Sequence, residues 1–188
     1  MSLIGVMGGK GSFSEEAAHI FASNNGIEPY DLEYLISSEE VLATVEKKSV
    51  EFGVFAMENA KGGVVIESIN ALAGHKCEIV EMFYVPISQN LLVIPGTLLG
   101  NITEIHSHPQ ALRQCKDFLA EHFWTRPLVE ADDTAESARR LTDGKLPDSV
   151  AVIAAKSCAE INGLEIIQED IQDLKNNLTL FLGITSIK

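Results

Sequence analysis

The sequence predicts an α/β fold, and three observations carry the prediction. Short apolar runs alternate with segments of helical periodicity along the whole chain, the rhythm of strands followed by covering helices. No internal repeat, low-complexity tract or long linker interrupts that rhythm. At 188 residues and 46% apolar content, the chain can bury a real core in one domain or two small lobes.

The strand candidates in order are 3–7, 32–35, 53–57, 79–85, 90–94, 104–107, 128–130 and 150–153, followed by a late run over 179–184. Helices are expected between them. Three begin with a capping pattern, a hydroxyl or carboxylate followed three residues later by Glu: Ser12 with Glu15, Ser37 with Glu40, and Asp133 with Glu136. Two ends are marked as well. Asn24-Asn25-Gly26 and Asn162-Gly163 place a glycine where a helix stops in the left-handed conformation.

Charge narrows the function. A formal net charge of -13 repels phosphate, so neither nucleic acid nor an anionic membrane is an expected partner. No apolar run approaches the roughly 20 residues that span a bilayer, and the apolar start is too short for a signal peptide, so a cytoplasmic protein is expected. Cys77, Cys115 and Cys158 lack the paired spacing of a zinc site or a disulfide framework and are expected as reduced thiols, at least two of them packed.

Four segments carry candidate chemistry. Residues 8–14 (Gly-Gly-Lys-Gly-Ser-Phe-Ser) follow the first strand and open a helix, where backbone amides can meet an anion, although neither nucleotide-loop pattern is complete and a tight turn explains the glycines equally well. Glu58-Asn59 follows a buried strand, at the carboxyl edge where open sheets present ligand groups. Around His106-Ser107-His108, no third residue at useful spacing completes a metal site, while Gln110 and Gln114 fall one turn apart on one helix face. Thr179, flanked by apolar residues in the last strand, is a hydroxyl that desolvation would strengthen as a hydrogen-bond partner.

Taken in order, these segments resemble the prephenate dehydratase family along essentially the whole chain. Gly11-Ser12-Phe13-Ser14 is similar to the family's Gly-Thr-Phe-Ser element, and 53–68 to its Gly-Val…Glu-Asn-Ser…Gly segment, with Ala60 in place of Ser. Ser107-His108-Pro109-Gln110-Ala111-Leu112, followed by Gln114-Cys115, nearly completes a long family signature. Asp133-Thr134-Ala135-Glu136, then Ala154-Ala155 with Ala159-Glu160 and Gly163-Leu164, and finally Ile171-Gln172-Asp173 with Asn177, continue it.

The resemblance implies two α/β lobes like the type II periplasmic binding proteins, with an active-site cleft between them. One lobe would comprise 1–81 plus 172–188, and the other 82–171. It implies the loss of CO2 and the ring hydroxyl from prephenate to give phenylpyruvate, on the route to phenylalanine, with no cofactor and no metal. Thr179 is then the proton donor or hydrogen-bond partner of the departing hydroxyl. Ser12, Phe13, Glu58, Asn59, Ser107, Gln114, Asn177 and Phe181 belong to the substrate site. Family habit, joined to an apolar content high for so short a chain, implies a homodimer.

Two departures stand out. The family's Thr-Arg-Phe is Thr179-Leu180-Phe181 in this chain, which removes the side chain best shaped to clamp a carboxylate and leaves Lys10, Lys61 or Arg113 to replace it. The regulatory ACT domain that many relatives carry is expected to be absent, since the sequence stops at Lys188.

Overall fold

The computed structural model describes residues 1–187, in two compact units. The first comprises Met1–Pro86 and the chain from Leu178 on; the second is Ile87–Asn177.

In the first unit the order is β1 (Ser2–Met7), α1 (Phe13–Asn24), β2 (Tyr30–Leu35), α2 (Ser38–Glu46), β3 (Phe52–Asn59), the two-residue β4 (Gly63–Val64), α3 (Ile66–Gly74) and β5 (Cys77–Pro86), with β11 (Leu178–Ser186) returning from the end of the chain. The sheet runs β2-β1-β3-β11-β5, with β4 beside β3. Strands β1, β2 and β3 are parallel, and β11 lies antiparallel between β3 and β5. Strand β5 pairs with β11 through Pro86, so the first unit ends there, later than the expected 81, and the tail rejoins at Leu178, later than 172.

Alternation along the strands builds two cores. On one face, α1 buries Ala17, Ala18, Phe21 and Ala22 against Val6, Val54, Phe83, Val85 and Phe181. On the other, Val41, Leu42 and Val45 of α2 and Ala71 of α3 meet Phe55, Leu182 and Ile184. Each large side chain so buried contributes roughly 1.5–3 kcal/mol, far more than any single surface ion pair. Gly183 is required by this packing, because a Cβ there would lie 2.2 Å from the Phe21 ring.

The second unit contains β6 (Asn90–Val93), a 3-10 turn at Leu99–Asn101, β7 (Glu104–Ser107), α4 (Pro109–Gln114), α5 (Lys116–Phe123), β8 (Leu128–Glu130), α6 (Thr134–Thr142), β9 (Val150–Ala154), α7 (Lys156–Asn162) and β10 (Glu165–Gln168). Its sheet runs β10-β6-β9-β7-β8. Leu91, Val93, Ile105, Ala151 and Ile153 of the strands pack under Ala111, Leu112, Cys115, Leu119 and Phe123 of α4 and α5.

The expected strands all form, and β4 and β10 join them. Ser12 and Ser37 cap α1 and α2 by accepting from the amides of Glu15 and Glu40. The two Glu carboxylates reach one residue further back than the standard box, to the amides of Gly11 and Ile36. Asp133 caps α6 through the amide of Ala135, and Glu136 pairs with Arg139 instead. Gly26 (φ 62°) and Gly163 (φ 65°) follow α1 and α7 in the left-handed conformation. Cys115 and Cys158 are buried free thiols, and Cys77 is half-buried.

Candidate active site

At the carboxyl edge of the parallel strands in the first unit, three segments converge. They are the Gly-rich loop after β1, the end of β3 and the start of β11. This is the edge at which open α/β sheets bind ligands.

Register decides which side chains meet there. Thr179 pairs with Asn59 on β3, and Leu180 pairs with Glu58. Neighbours along a strand point to opposite faces, so Thr179 shares the α1 face with Phe181 while Leu180 shares the other face with Leu182. Asn59 and Thr179 thus meet, and the Asn59 Nδ2 donates to the Thr179 Oγ1 at 2.8 Å. Glu58 projects from the opposite face beside Leu180, exposed to solvent. The sequence places Glu58 and Asn59 in one site; the strand separates them.

The Asn59 amide is itself held. Its Oδ1 accepts from the amides of Lys61 (3.1 Å) and Gly62 (2.8 Å), which fixes the side chain and leaves Nδ2 facing Thr179. A hydroxyl offers one hydrogen and two lone pairs. That of Thr179, 7% exposed, has accepted from Asn59, and none of the described residues accepts its own hydrogen. Accepting a hydrogen bond polarises the hydroxyl and makes it the better donor.

The Gly-rich loop is pinned at both ends. The Gly8 amide donates to the Leu35 carbonyl at 2.6 Å, and the Gly11 amide donates to the Glu15 carboxylate. Gly8 (φ 110°) and Gly11 (φ 85°) adopt the conformation that favours glycine. Ser12 and Phe13 follow as the cap and first residue of α1, both half-buried.

In the second unit the corresponding edge gathers amides. The side chains of Gln89, Gln114 and Gln172 and of Asn90 and Asn177 are all at least 96% buried. Gln89 Nε2 donates to Gln114 Oε1 (3.1 Å), and the Gln89 backbone amide donates to Gln172 Oε1 (2.9 Å). The Gln89 Oε1 has no hydrogen-bond partner among the described residues, which leaves a buried acceptor for a ligand or water donor. Ser107, fully buried, gives its hydrogen to the Ile153 carbonyl at 2.7 Å. His106 bonds Glu104 at 3.0 Å, and His108 caps α4, so both imidazoles have structural partners.

Of the sequence-derived residues, Asn59 and Thr179 are in direct contact, with Ser12 and Phe13 at the same sheet edge; Ser107, Gln114 and Asn177 lie in the second unit. Phe181 is a core residue, 1% exposed and stacked on Phe83. The sequence reading missed Gln89 and Asn90, which adjoin an apolar run and read as its boundary. Lys10, Lys61 and Arg113 are all exposed. Among the described residues, no helix is long and apolar enough to cross a membrane.

The prephenate dehydratase family model matches residues 4–188. The prephenate dehydratase of Lactococcus lactis is 32% identical over 179 residues, covering 95% of this chain and 61% of that protein. The chain spans 41–61% of the length of the curated relatives it matches. The structure of the prephenate dehydratase from Arthrobacter aurescens in complex with L-Phe superposes with a TM-score of 0.88 at 26% identity, over 99% of this chain and 61% of that one. A nutrient-binding protein from Burkholderia cenocepacia, bound to methionine, shares the fold alone: its TM-score is 0.55 at 12% identity, over 99% of this chain and 85% of that one. The chain is therefore an α/β protein of periplasmic-binding-protein-like fold that belongs to the prephenate dehydratase family.

Proposed function

We propose that this chain converts prephenate to phenylpyruvate. The observation that carries the reading is the Thr179 hydroxyl, nearly buried, accepting from Asn59 and retaining a hydrogen to give. In the reaction, the bond from the ring to the carboxylate breaks and releases CO2. Its electron pair enters the ring, and the bond to the ring hydroxyl breaks at the opposite carbon. Aromatisation drives the step, so the protein's work is orientation and stabilisation of the departing oxygen. Thr179 donates its hydrogen bond to that oxygen, which leaves as water once protonated. Ser12 and Phe13, at the same sheet edge as Thr179, contribute to the substrate site. The reaction needs neither cofactor nor metal.

Incubation of the purified chain with prephenate, followed by the ultraviolet spectrum of the product in alkali, tests this directly. Phenylpyruvate is expected. A non-aromatic product that keeps its hydroxyl would mark a decarboxylase, and binding without turnover would mark a small-acid-binding module.

The same reading includes a cytoplasmic homodimer. Its support is strand β5, the edge of its sheet, which exposes Ile79, Val80, Met82 and Tyr84 at 40–63%. A long apolar edge is a surface that proteins ordinarily cover. Light scattering at micromolar concentration should give twice the 20.4 kDa chain mass, and a stable monomer would remove the dimer.

A further inference from the structure

The Gly-rich loop owes its shape to a carboxylate the chain supplies itself. Glu15 is 8% exposed, and its two oxygens have different partners: Oε2 accepts from the Gly11 amide, and Oε1 accepts from the Tyr34 hydroxyl at 2.5 Å. The Tyr34 pKa is raised by burial, and further by the hydrogen bond to Glu15 and its negative charge, so the phenol keeps its proton and remains the donor. Tyr34 is fixed in turn, because β2 pairs with β1 in parallel register, Val6 opposite Tyr34 and Met7 opposite Leu35. The adjacent Leu35 carbonyl accepts from the Gly8 amide. One end of the loop is therefore tied to β2 by backbone and the other by the chain Tyr34, Glu15, Gly11.

We infer that Glu15 and Tyr34 are positioning residues for the substrate loop, setting the orientation of Ser12 and Phe13 without touching substrate. Two features favour this over a purely structural role. Glu40 of α2 also reaches one residue past its cap, but Glu15 is held in addition from another strand, its second oxygen accepting from the Tyr34 hydroxyl of β2. The Gly8 amide at the loop's other end is tied to the same strand, so β2 sets both ends of the loop at once. The inference rests on the dehydratase reading, in which that loop contacts substrate.

The test uses Tyr34→Phe, which keeps the ring and removes the donor, and Glu15→Ala, with Glu15→Gln as the conservative control. Exchange of the Gly11 amide with solvent, read by NMR, should accelerate at least ~10-fold in the first two variants, the loss of a charge-assisted hydrogen bond. KM for prephenate should rise about 10-fold while kcat changes less than about twofold. Glu15→Gln can still bond both partners and should restore most of the KM. Gly11 exchange that stays slow in the variants overturns the inference. So does fast exchange with an unmoved KM, or a loss confined to melting temperature. If the parent chain does not turn over prephenate, the dehydratase reading falls, and the brace is judged on exchange alone: fast exchange in both variants upholds it and unchanged exchange ends it.

Discussion

Two hydroxyls that look alike in the sequence behave oppositely in the structure. Ser107 ends β7 in one unit and Thr179 begins β11 in the other, each at the carboxyl edge of its sheet's parallel strands, and both are buried. Ser107 donates to the Ile153 carbonyl and so tethers β7 to the neighbouring β9. Thr179 accepts from Asn59 and retains its hydrogen. Direction, more than location, separates an anchoring hydroxyl from one able to act on a leaving oxygen.

The largest effect should come from Thr179→Val, which keeps the shape and removes the hydroxyl. Turnover of prephenate should fall at least ~100-fold, the scale of a positioned proton donor, with little change in melting temperature. Ser107→Ala should do the reverse, lowering stability by about 1–3 kcal/mol, read as a lower melting temperature, through loss of the buried hydrogen bond to the Ile153 carbonyl, with turnover reduced far less. Equal kinetic losses in the two variants would break the contrast.

Gln114→Ala should act between these. It removes the acceptor for Gln89 Nε2 beside a Gln89 Oε1 that has no partner among the described residues. Weaker prephenate binding, measured as a raised KM, should outweigh the loss of stability; the opposite balance would make Gln114 a packing residue.

Leu180→Arg sharpens the comparison from the other face of β11. The sequence reading treats position 180 as a missing carboxylate clamp, but the register sets it across from Glu58, on the face away from Thr179. An Arg there should pair with Glu58, adding about 0.2–1 kcal/mol of stability and changing kcat/KM less than about threefold. A tenfold gain in kcat/KM would show that the guanidinium reaches substrate after all.

The smallest effect is one of pH and lies away from both hydroxyls. His75 bonds Glu39 (2.8 Å) and Glu46 (2.7 Å), and those two hydrogen bonds raise its pKa. Folding therefore favours its protonated form. The stability gained is complete below the unfolded value, near 6.5, and fades as pH rises through the higher folded value. Melting temperature should decline modestly over that window in the parent chain and not in His75→Gln.

What the sequence revealed was local. The Ser12 and Ser37 caps, the glycine stops and the apolar strands depend on neighbours within a few residues, and all formed. Strand β10 escapes because Glu165–Gln168 is a short edge strand whose two adjacent isoleucines show no alternation. The Gln89, Gln114 and Gln172 cluster escaped because amides are buried only by tertiary packing, from segments up to 83 residues apart. The sequence sets Glu58 and Asn59 just beyond a strand, whereas both belong to β3 and face apart.

Which of the two meets Thr179 depends on an irregularity in the ladder. Between Phe181, opposite Ala56, and Leu180, opposite Glu58, β3 carries one extra residue, Met57. Were the pairing regular, Leu180 would fall opposite Met57, and Thr179 opposite Glu58. A carboxylate beside the threonine would take its hydrogen, where the asparagine gives one, and the hydroxyl would lose the polarity its chemistry needs. A slip of a single residue would thus reverse the direction of this hydrogen bond with every side chain still present, which makes strand length over 52–59 as decisive for it as the identity of Asn59.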